Sequence, residues 1–374
     1  MPIPITDTLA ALPAPQTGRS VTPAQRAFFR AIPKVELHCH LLGAVRHETF
    51  ADLATRHGAP LSTAEIDAFY ARGRKPVGVL HTLRALEQHI LLAPEDFHRI
   101  VFEYLEDAAG ETVRHAEFFW NPTPTMEAHG LPYAALRDAM ASAIEEAETE
   151  FGISSLLIPA IDREAPASAA VSMVEAMVAA PHPRVPGIGI DYRETERPPE
   201  LFLDAYRLAR DHGLRATAHA GEFGTPWHNV ATAIEGLGVD RIDHGYTVVD
   251  NPGLVAQCVE RGLLFTIVPT NSYYLRTLPP ERWAADHPIR RMVEMGMALH
   301  PNTDDPTLHH VGPGAAWELL YSHLGLDIAD LRAMMLAGIA GSWASDVQKA
   351  MWREEWPGLF DAAAQGLGWE PSLL

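Results

Sequence analysis

Short runs rich in Val, Ile, Leu and Phe recur along this chain, each followed by a longer amphipathic segment. No other feature constrains the fold as strongly, because this alternation is the pattern of repeated βα units. The runs are "KVELHCH" from Lys34, "VRHAEFFW" from Val113, "ISSLLIPAI" from Ile153, "VPGIGIDY" from Val185, "LRATAHA" from Leu214, "RIDHG" from Arg241, "LLFTIVP" from Leu263 and "MALHPNT" from Met297. The segments between them end as helices end: "PPELFLDAYRLARDHG" closes on Gly213 and "NPGLVAQCVERG" on Gly262, where a left-handed residue after the last turn favours glycine.

Strand, helix, strand in repeated order implies a parallel sheet, and eight such units fit a closed (β/α)8 TIM-type barrel better than an open doubly wound sheet. No Gly-rich phosphate fingerprint opens any of the helices, which leaves a dinucleotide fold without support. The 374 residues accommodate one large barrel. The expected organisation is an N-terminal arm over residues 1–30 and a single barrel domain over 31–374. A helical insertion over about 45–112 follows the first strand, a place from which a segment could cover the barrel mouth. The stretch from Ala316 reads as amphipathic helices that close the barrel.

A net charge of −19 without a cluster of Lys or Arg interleaved with aromatics disfavours nucleic-acid polymers and anionic membrane surfaces as partners. Two distant cysteines, Cys39 and Cys258, give no disulfide framework and fit a reducing compartment, so the cytoplasm is expected. The first twenty residues lack the pattern of a secretory signal, and no run of about twenty apolar residues spans a membrane.

Polar residues gather at the C-terminal ends of the predicted strands, the face on which barrels of this kind build their sites. The first strand ends in His38 and His40, which share a face while Cys39 points the other way as a small apolar residue. The fifth ends in "HAGE" (219–222), the sixth in "DHG" (243–245) and the eighth in "NTDDP" (302–306). Imidazoles with one carboxylate suit Zn²⁺, with Fe²⁺ or Mn²⁺ as alternatives, and His38, His40, His219 and Asp304 are the expected ligands of one zinc per chain. Such a site is hydrolytic. Glu222 is placed as general acid/base, and His244 to orient or deprotonate water.

The motifs "PKVELHCHLLGA", "HAGE", "RIDHGY" and "NTDDP" resemble, in order and spacing, those of the adenosine/adenine deaminase family within the amidohydrolase superfamily. "AEFFWNP" (116–122), "GIGIDYRETE" (187–196) and "HPIRRM" (287–292) resemble further family segments, so the likeness runs from about Pro33 to Pro306. The resemblance implies one zinc in a (β/α)8 barrel and hydrolytic deamination of a small purine at C6. It assigns the ligand and proton-transfer roles to the residues already named, and it adds Asp305 facing the purine N7.

Three departures bear on substrate. Leu42 stands where adenosine deaminases carry an aspartate that holds the ribose 5′-hydroxyl, and a leucine accepts no such hydrogen bond. Glu194 aligns with a family glycine whose backbone faces N3, so its side chain is expected at the substrate. Phe118 and Phe119 stand where adenosine deaminases usually carry an arginine, which favours the adenine deaminase branch and a free or unusually substituted 6-aminopurine. His300, His309 and His310 read as loop or supporting residues, and Trp120 with residues 271–275 as walls of a planar pocket. Deamination of another amino-heterocycle, and a non-catalytic zinc-stabilised binding protein, are the competing readings.

Overall fold

The strand order follows the chain without interruption. In the computed structural model, which describes residues 12–71, 78–367 and 369, eight strands form one sheet in the order β1 to β8. These are β1 (Lys34–His40), β2 (Val113–Trp120), β3 (Ser154–Asp162), β4 (Gly187–Asp191), β5 (Arg215–Ala220), β6 (Arg241–His244), β7 (Leu264–Ile267) and β8 (Ala298–Pro301). Every neighbouring pair is parallel.

The ring is drawn shut just beyond β8. Asp304 N donates to His38 O (3.0 Å), His40 N donates to Asp304 O (2.7 Å), and the Asn302 side chain accepts from Leu37 N (2.8 Å). Cys39 and Asp304 thus form a parallel bridge between the two ends of the sheet. This is the (β/α)8 architecture expected from the alternating pattern.

Strand burial explains why the sequence reads as continuous apolar runs. β3, β4, β6 and β7 are buried or nearly so along their whole length, as strands covered on both faces must be. Phe119, Ile158, Ala160 and Trp343 form a separate cluster. The Phe119 ring lies 5.5 Å from that of His38, 5.3 Å from His40 and 5.3 Å from His219, so this cluster floors the histidines. Below it the fully buried pair Glu117 and Arg241 ties β2 to β6, with the Arg241 guanidinium 4.5 Å from the Trp343 ring.

The helix ends follow local chemistry. Helix Pro252–Arg261 begins at Asn251, whose side chain accepts from the N–H groups of Gly253 and Leu254, and stops at Gly262 with φ +60°. Helix Leu203–Asp211 stops at His212, and Gly213 turns the chain at φ +74°. Between β1 and β2 the described residues form helices His47–His57, Thr63–Phe69, Val79–Ala85 and Pro94–Gly110, with a wider turn at Leu86–Ile90. The expected insertion also takes in 72–77, and the expected arm takes in 1–11; both stretches lie outside the described residues. Helices Pro313–Ser322, Ile328–Gly341 and Asp346–Gln365 complete the chain after β8. Among the described residues no helix is long and apolar enough to cross a membrane.

Candidate metal centre and active site

Four strand ends deliver imidazoles and carboxylates to one point. Side-chain atoms of His38 (β1), His219 (β5), His244 (β6) and Asp304 (past β8) lie within 4.8 Å of one another, and all four residues are buried. His40 joins them: its Nε2 lies 3.1 Å from His219 Nε2 and 3.1 Å from Asp304 Oδ1. His38 Nε2 lies 3.6 Å from the same oxygen. His244 and Asp304 hold these positions with backbone φ of +66°, a conformation non-glycine residues seldom adopt and one that marks functional sites.

The partners behind each ring fix which nitrogen carries hydrogen. His38 Nδ1 faces the Thr266 carbonyl at 3.2 Å, and a carbonyl only accepts, so the hydrogen sits on Nδ1 and Nε2 offers a lone pair. Carboxylates stand behind the next two rings: Asp191 Oδ2 lies 3.3 Å from His40 Nδ1, and Asp243 Oδ2 lies 3.3 Å from His219 Nδ1. At the fourth, Tyr246 donates its hydroxyl to Val268 O (3.0 Å), so the Tyr246 oxygen accepts from His244 Nδ1 (3.2 Å). His38 Nε2 and His244 Nε2 are buried without a hydrogen-bond partner among the described residues.

Lone pairs of several imidazoles and a carboxylate therefore crowd one spot, which is unfavourable unless positive charge stands among them. Burial opposes a charge on His40, yet hydrogen bonds with Asp191 and Asp304 raise its pKa well above the ordinary value. Burial would also raise Asp304, but the neighbouring His38 and His40 hold it well below the usual carboxylate range. The residues fit a divalent cation. Ligands about 2.0–2.1 Å from a tetrahedral ion are about 3.3–3.4 Å apart, close to the 3.1 Å and 3.6 Å separations here. Carboxylates and a carbonyl behind the rings are the usual outer support of metal-binding histidines.

Beside this cluster the side chains of Glu222 and His244 approach to 3.7 Å. Glu222 Oε1 accepts from Asn271 Nδ2 at 2.9 Å. Burial first, and the Asp304 charge second, push the Glu222 carboxyl well above its usual pKa. Burial and the neighbouring His38 and His219 hold His244 well below the ordinary value, so it is a neutral acceptor. A carboxyl shifted toward its protonated form and an imidazole shifted toward its neutral form thus stand side by side.

A cavity of about 280 Å³ opens on Glu222 and on His40, His219 and Asp304 of the cluster. Its walls include Asp305, Asp191, Tyr192, Arg193, Phe223, Asn271, Tyr274, Leu275 and His309, together with Val79, Leu80 and Leu83 from the segment between β1 and β2. Of the aromatic residues expected at the pocket, Tyr274 is in the wall, where its ring stacks on His309 (centroids 3.9 Å apart). Trp120 is not: it points outward from β2 and stacks on Tyr133 in the core. His300 packs against Trp317, and His310 reaches the Tyr70 carbonyl at 2.8 Å, both away from the cavity lining.

Two residues expected at the substrate lie outside the cavity lining. Leu42 is buried in a turn after β1 and does not line the cavity, because the chain leaves the strand at His40 and the alternation of faces no longer applies. Glu194 is also buried outside the lining, its carboxylate turned to the loop after β5, so Asp191, Tyr192 and Arg193 form that wall. Nothing in the sequence alone assigns a role to Asp191, Asp243, Thr266 or Tyr246, the groups behind the histidines. Asp191 and Asp243 are visible as acids at the ends of apolar runs, whereas Thr266 lies inside β7 and Tyr246 beyond β6, without such a signal.

Comparison with known proteins agrees with this geometry. The adenosine deaminase family model matches residues 33–356. The chain is 33% identical over 323 residues to an adenine deaminase of Cupriavidus metallidurans, covering 86% of this chain and 89% of that one. It is 32% identical over 326 residues to an adenine deaminase of Rhodospirillum rubrum (87% and 96% covered). Among solved structures, an amidohydrolase from Burkholderia ambifaria with bound Zn superposes with a TM-score of 0.93 at 60% identity, covering 96% of this chain and 98% of that one. An adenine deaminase from Arthrobacter aurescens superposes with a TM-score of 0.79 at 29% identity (91% and 100% covered). With the family model spanning the barrel and its site, this chain belongs to the adenosine deaminase family of metal-dependent aminohydrolases.

Proposed function

We propose that this protein is a zinc-dependent hydrolase that converts an adenine-like 6-aminopurine to the 6-oxo purine and ammonia. One observation carries the reading: Glu222 and His244, 3.7 Å apart, stand beside a buried group of imidazoles and a carboxylate that demands a cation. The names of the adenine deaminase relatives, and the bound Zn of the Burkholderia amidohydrolase, support the choice of base and of metal.

His38, His40, His219 and Asp304 would hold the ion. Zinc bound in such a site acidifies a water to a pKa of about 7 and thereby supplies a nucleophile at neutral pH. His244 Nε2, held as an acceptor by Tyr246 behind it, orients that water and takes its proton. Glu222, steadied by Asn271, donates a proton to the ring N1 as the oxygen adds to C6, and Asp305 meets N7 from the cavity wall. The C6–O bond forms, the C6–N bond breaks, the amine leaves as ammonia after taking the water proton back from His244, and the C6 hydroxyl proton returns to the Glu222 carboxylate as the 6-oxo group forms. Walled by Leu83, Phe223 and Leu275, the cavity limits bulk water at the reacting carbon.

Ammonia release across adenine, adenosine, 2′-deoxyadenosine and N6- or ribose-modified adenines tests the reading, with Glu222→Ala as the blank. Turnover of a 6-aminopurine that vanishes in the blank is expected. Zinc-loaded protein that releases ammonia only from another amino-heterocycle, or from nothing, overturns it.

A further inference from the structure

Glu194 is 1% exposed, yet it lies outside the cavity lining. Its carboxylate is spent on the turn that leaves β5 and carries Glu222. Gly221 N donates to both oxygens at 2.9 Å, and Glu222 N donates to Oε2 at 3.2 Å. Thr225 Oγ1 donates to Oε2 at 2.7 Å, and Asn229 Nδ2 to Oε1 at 2.9 Å. Successive backbone N–H groups around a left-handed residue form a concave seat for an anion. Gly221 supplies that conformation at φ +70°, where a Cβ would come 2.6 Å from Thr247 Oγ1. Here the seat is filled by the chain's own carboxylate.

The turn has little else to define it. Residues 221–227 form neither helix nor strand, and the Glu222 side chain stands between Asn271 at 2.9 Å and His244 at 3.7 Å. On the other side of the same turn the Arg163 guanidinium donates to the His219 carbonyl at 2.7 Å. Every contact to Glu194 comes from a donor, which a carboxylate, an acceptor at both oxygens, matches and an amide does not. A glutamine would turn its NH2 toward backbone N–H groups, and an aspartate falls one methylene short.

We infer that Glu194 is a positioning residue for the proton transfer: by filling the seat after β5 it sets the main chain of Glu222, and so the place of the Glu222 carboxyl against the substrate ring. The inference rests on the deaminase reading above.

The test is a cycle of zinc-loaded wild type, Glu194→Gln, Glu222→Gln and the double variant. Glu194→Gln alone is expected to lower kcat by about tenfold to a hundredfold, as small misplacements of a reacting group do. Zinc stoichiometry stays unchanged and KM moves by less than about threefold. In the Glu222→Gln background the same change costs less than about twofold, because the group it positions is already gone. Amide hydrogen exchange gives a readout independent of turnover: Gly221 and Glu222 lose protection in Glu194→Gln while the amides of β1 and β6 keep theirs. Lost protection without turnover of any purine by the wild type defeats the deaminase reading and leaves the anchoring intact. Additive losses in kcat, unchanged kcat, or loss of zinc in step with loss of activity overturns the inference. If Glu194→Gln fails to fold, Thr225→Val, which removes a single donor, is carried through the same cycle with a smaller effect expected.

Discussion

One carboxylate serves two strands behind the metal centre: Asp243 Oδ2 lies 3.3 Å from His219 Nδ1, and Asp243 Oδ1 accepts from the Thr266 hydroxyl at 2.7 Å. Thr266 in turn faces His38 Nδ1. Asp243→Asn breaks this support without touching a ligand, and zinc affinity is expected to fall about tenfold to a hundredfold. Competition with a chromophoric chelator measures it, and affinity within twofold of wild type would remove Asp243 from the account.

Glu222→Gln keeps the shape of the side chain and the contact with Asn271, but carries no carboxyl proton to donate. Its kcat is expected to drop by about 10² to 10⁴, the range of a lost general acid, with zinc content unchanged. Steady-state ammonia assays beside metal analysis decide this. A loss that follows zinc content instead would make Glu222 a part of the metal centre.

Gly43 sits in the turn after β1 where a Cβ would fall 1.9 Å from Asp305 Oδ1. Gly43→Ala must therefore displace the Asp305 carboxylate. We expect KM to rise at least about tenfold, with a stability loss of about 1–3 kcal/mol typical of overpacking. Unchanged KM in a folded, zinc-loaded variant would show that Asp305 does not meet the substrate.

His287 gives the protein an acid-sensitive point outside the centre. Its Nδ1 accepts from Ile289 N at 3.3 Å at the start of helix Pro288–Glu294, its Nε2 faces Ser272 Oγ at 3.1 Å, and burial lowers its pKa to about 3. Between that value and the ordinary 6.5 the unfolded chain binds the extra proton and the folded one does not. Stability from this group is thus complete above about pH 6.5 and lost as the pH falls toward 3, by at most about 1.4 kcal/mol per pH unit. Urea midpoints between pH 5 and 7 should fall with acid in the wild type. His287→Asn, which keeps a helix-capping side chain, should flatten that dependence by up to one proton.

Most of the barrel is legible in the sequence because strands covered on both faces must be apolar throughout. For the same reason a polar residue that closes such a run stands out: His38, His40, His219, His244 and Asp304 all do. What escapes the sequence is direction once the chain has left a strand. Leu42 and Glu194 follow β1 and β4 by only a few residues, yet turn geometry sends both away from the cavity, and no periodicity predicts that. Trp120 is still on its strand but on the outer face, where Tyr133 receives it. Asp191 and Asp243 are visible as acids, but their role as supports appears only when neighbouring strands bring His40 and His219 in front of them.

The closure at Asp304 ties assembly to occupancy. The residue that fastens the last strand to the first through its backbone also turns its carboxylate to His38 and His40. A bound ion thus acts as a rivet across the join between the two ends of the sheet, and by mass action an ion at a hundred times its dissociation constant adds about 2.7 kcal/mol against opening. A chain missing its final strand would lose a ligand and its closing hydrogen bonds together, so metal capture reports a completed ring.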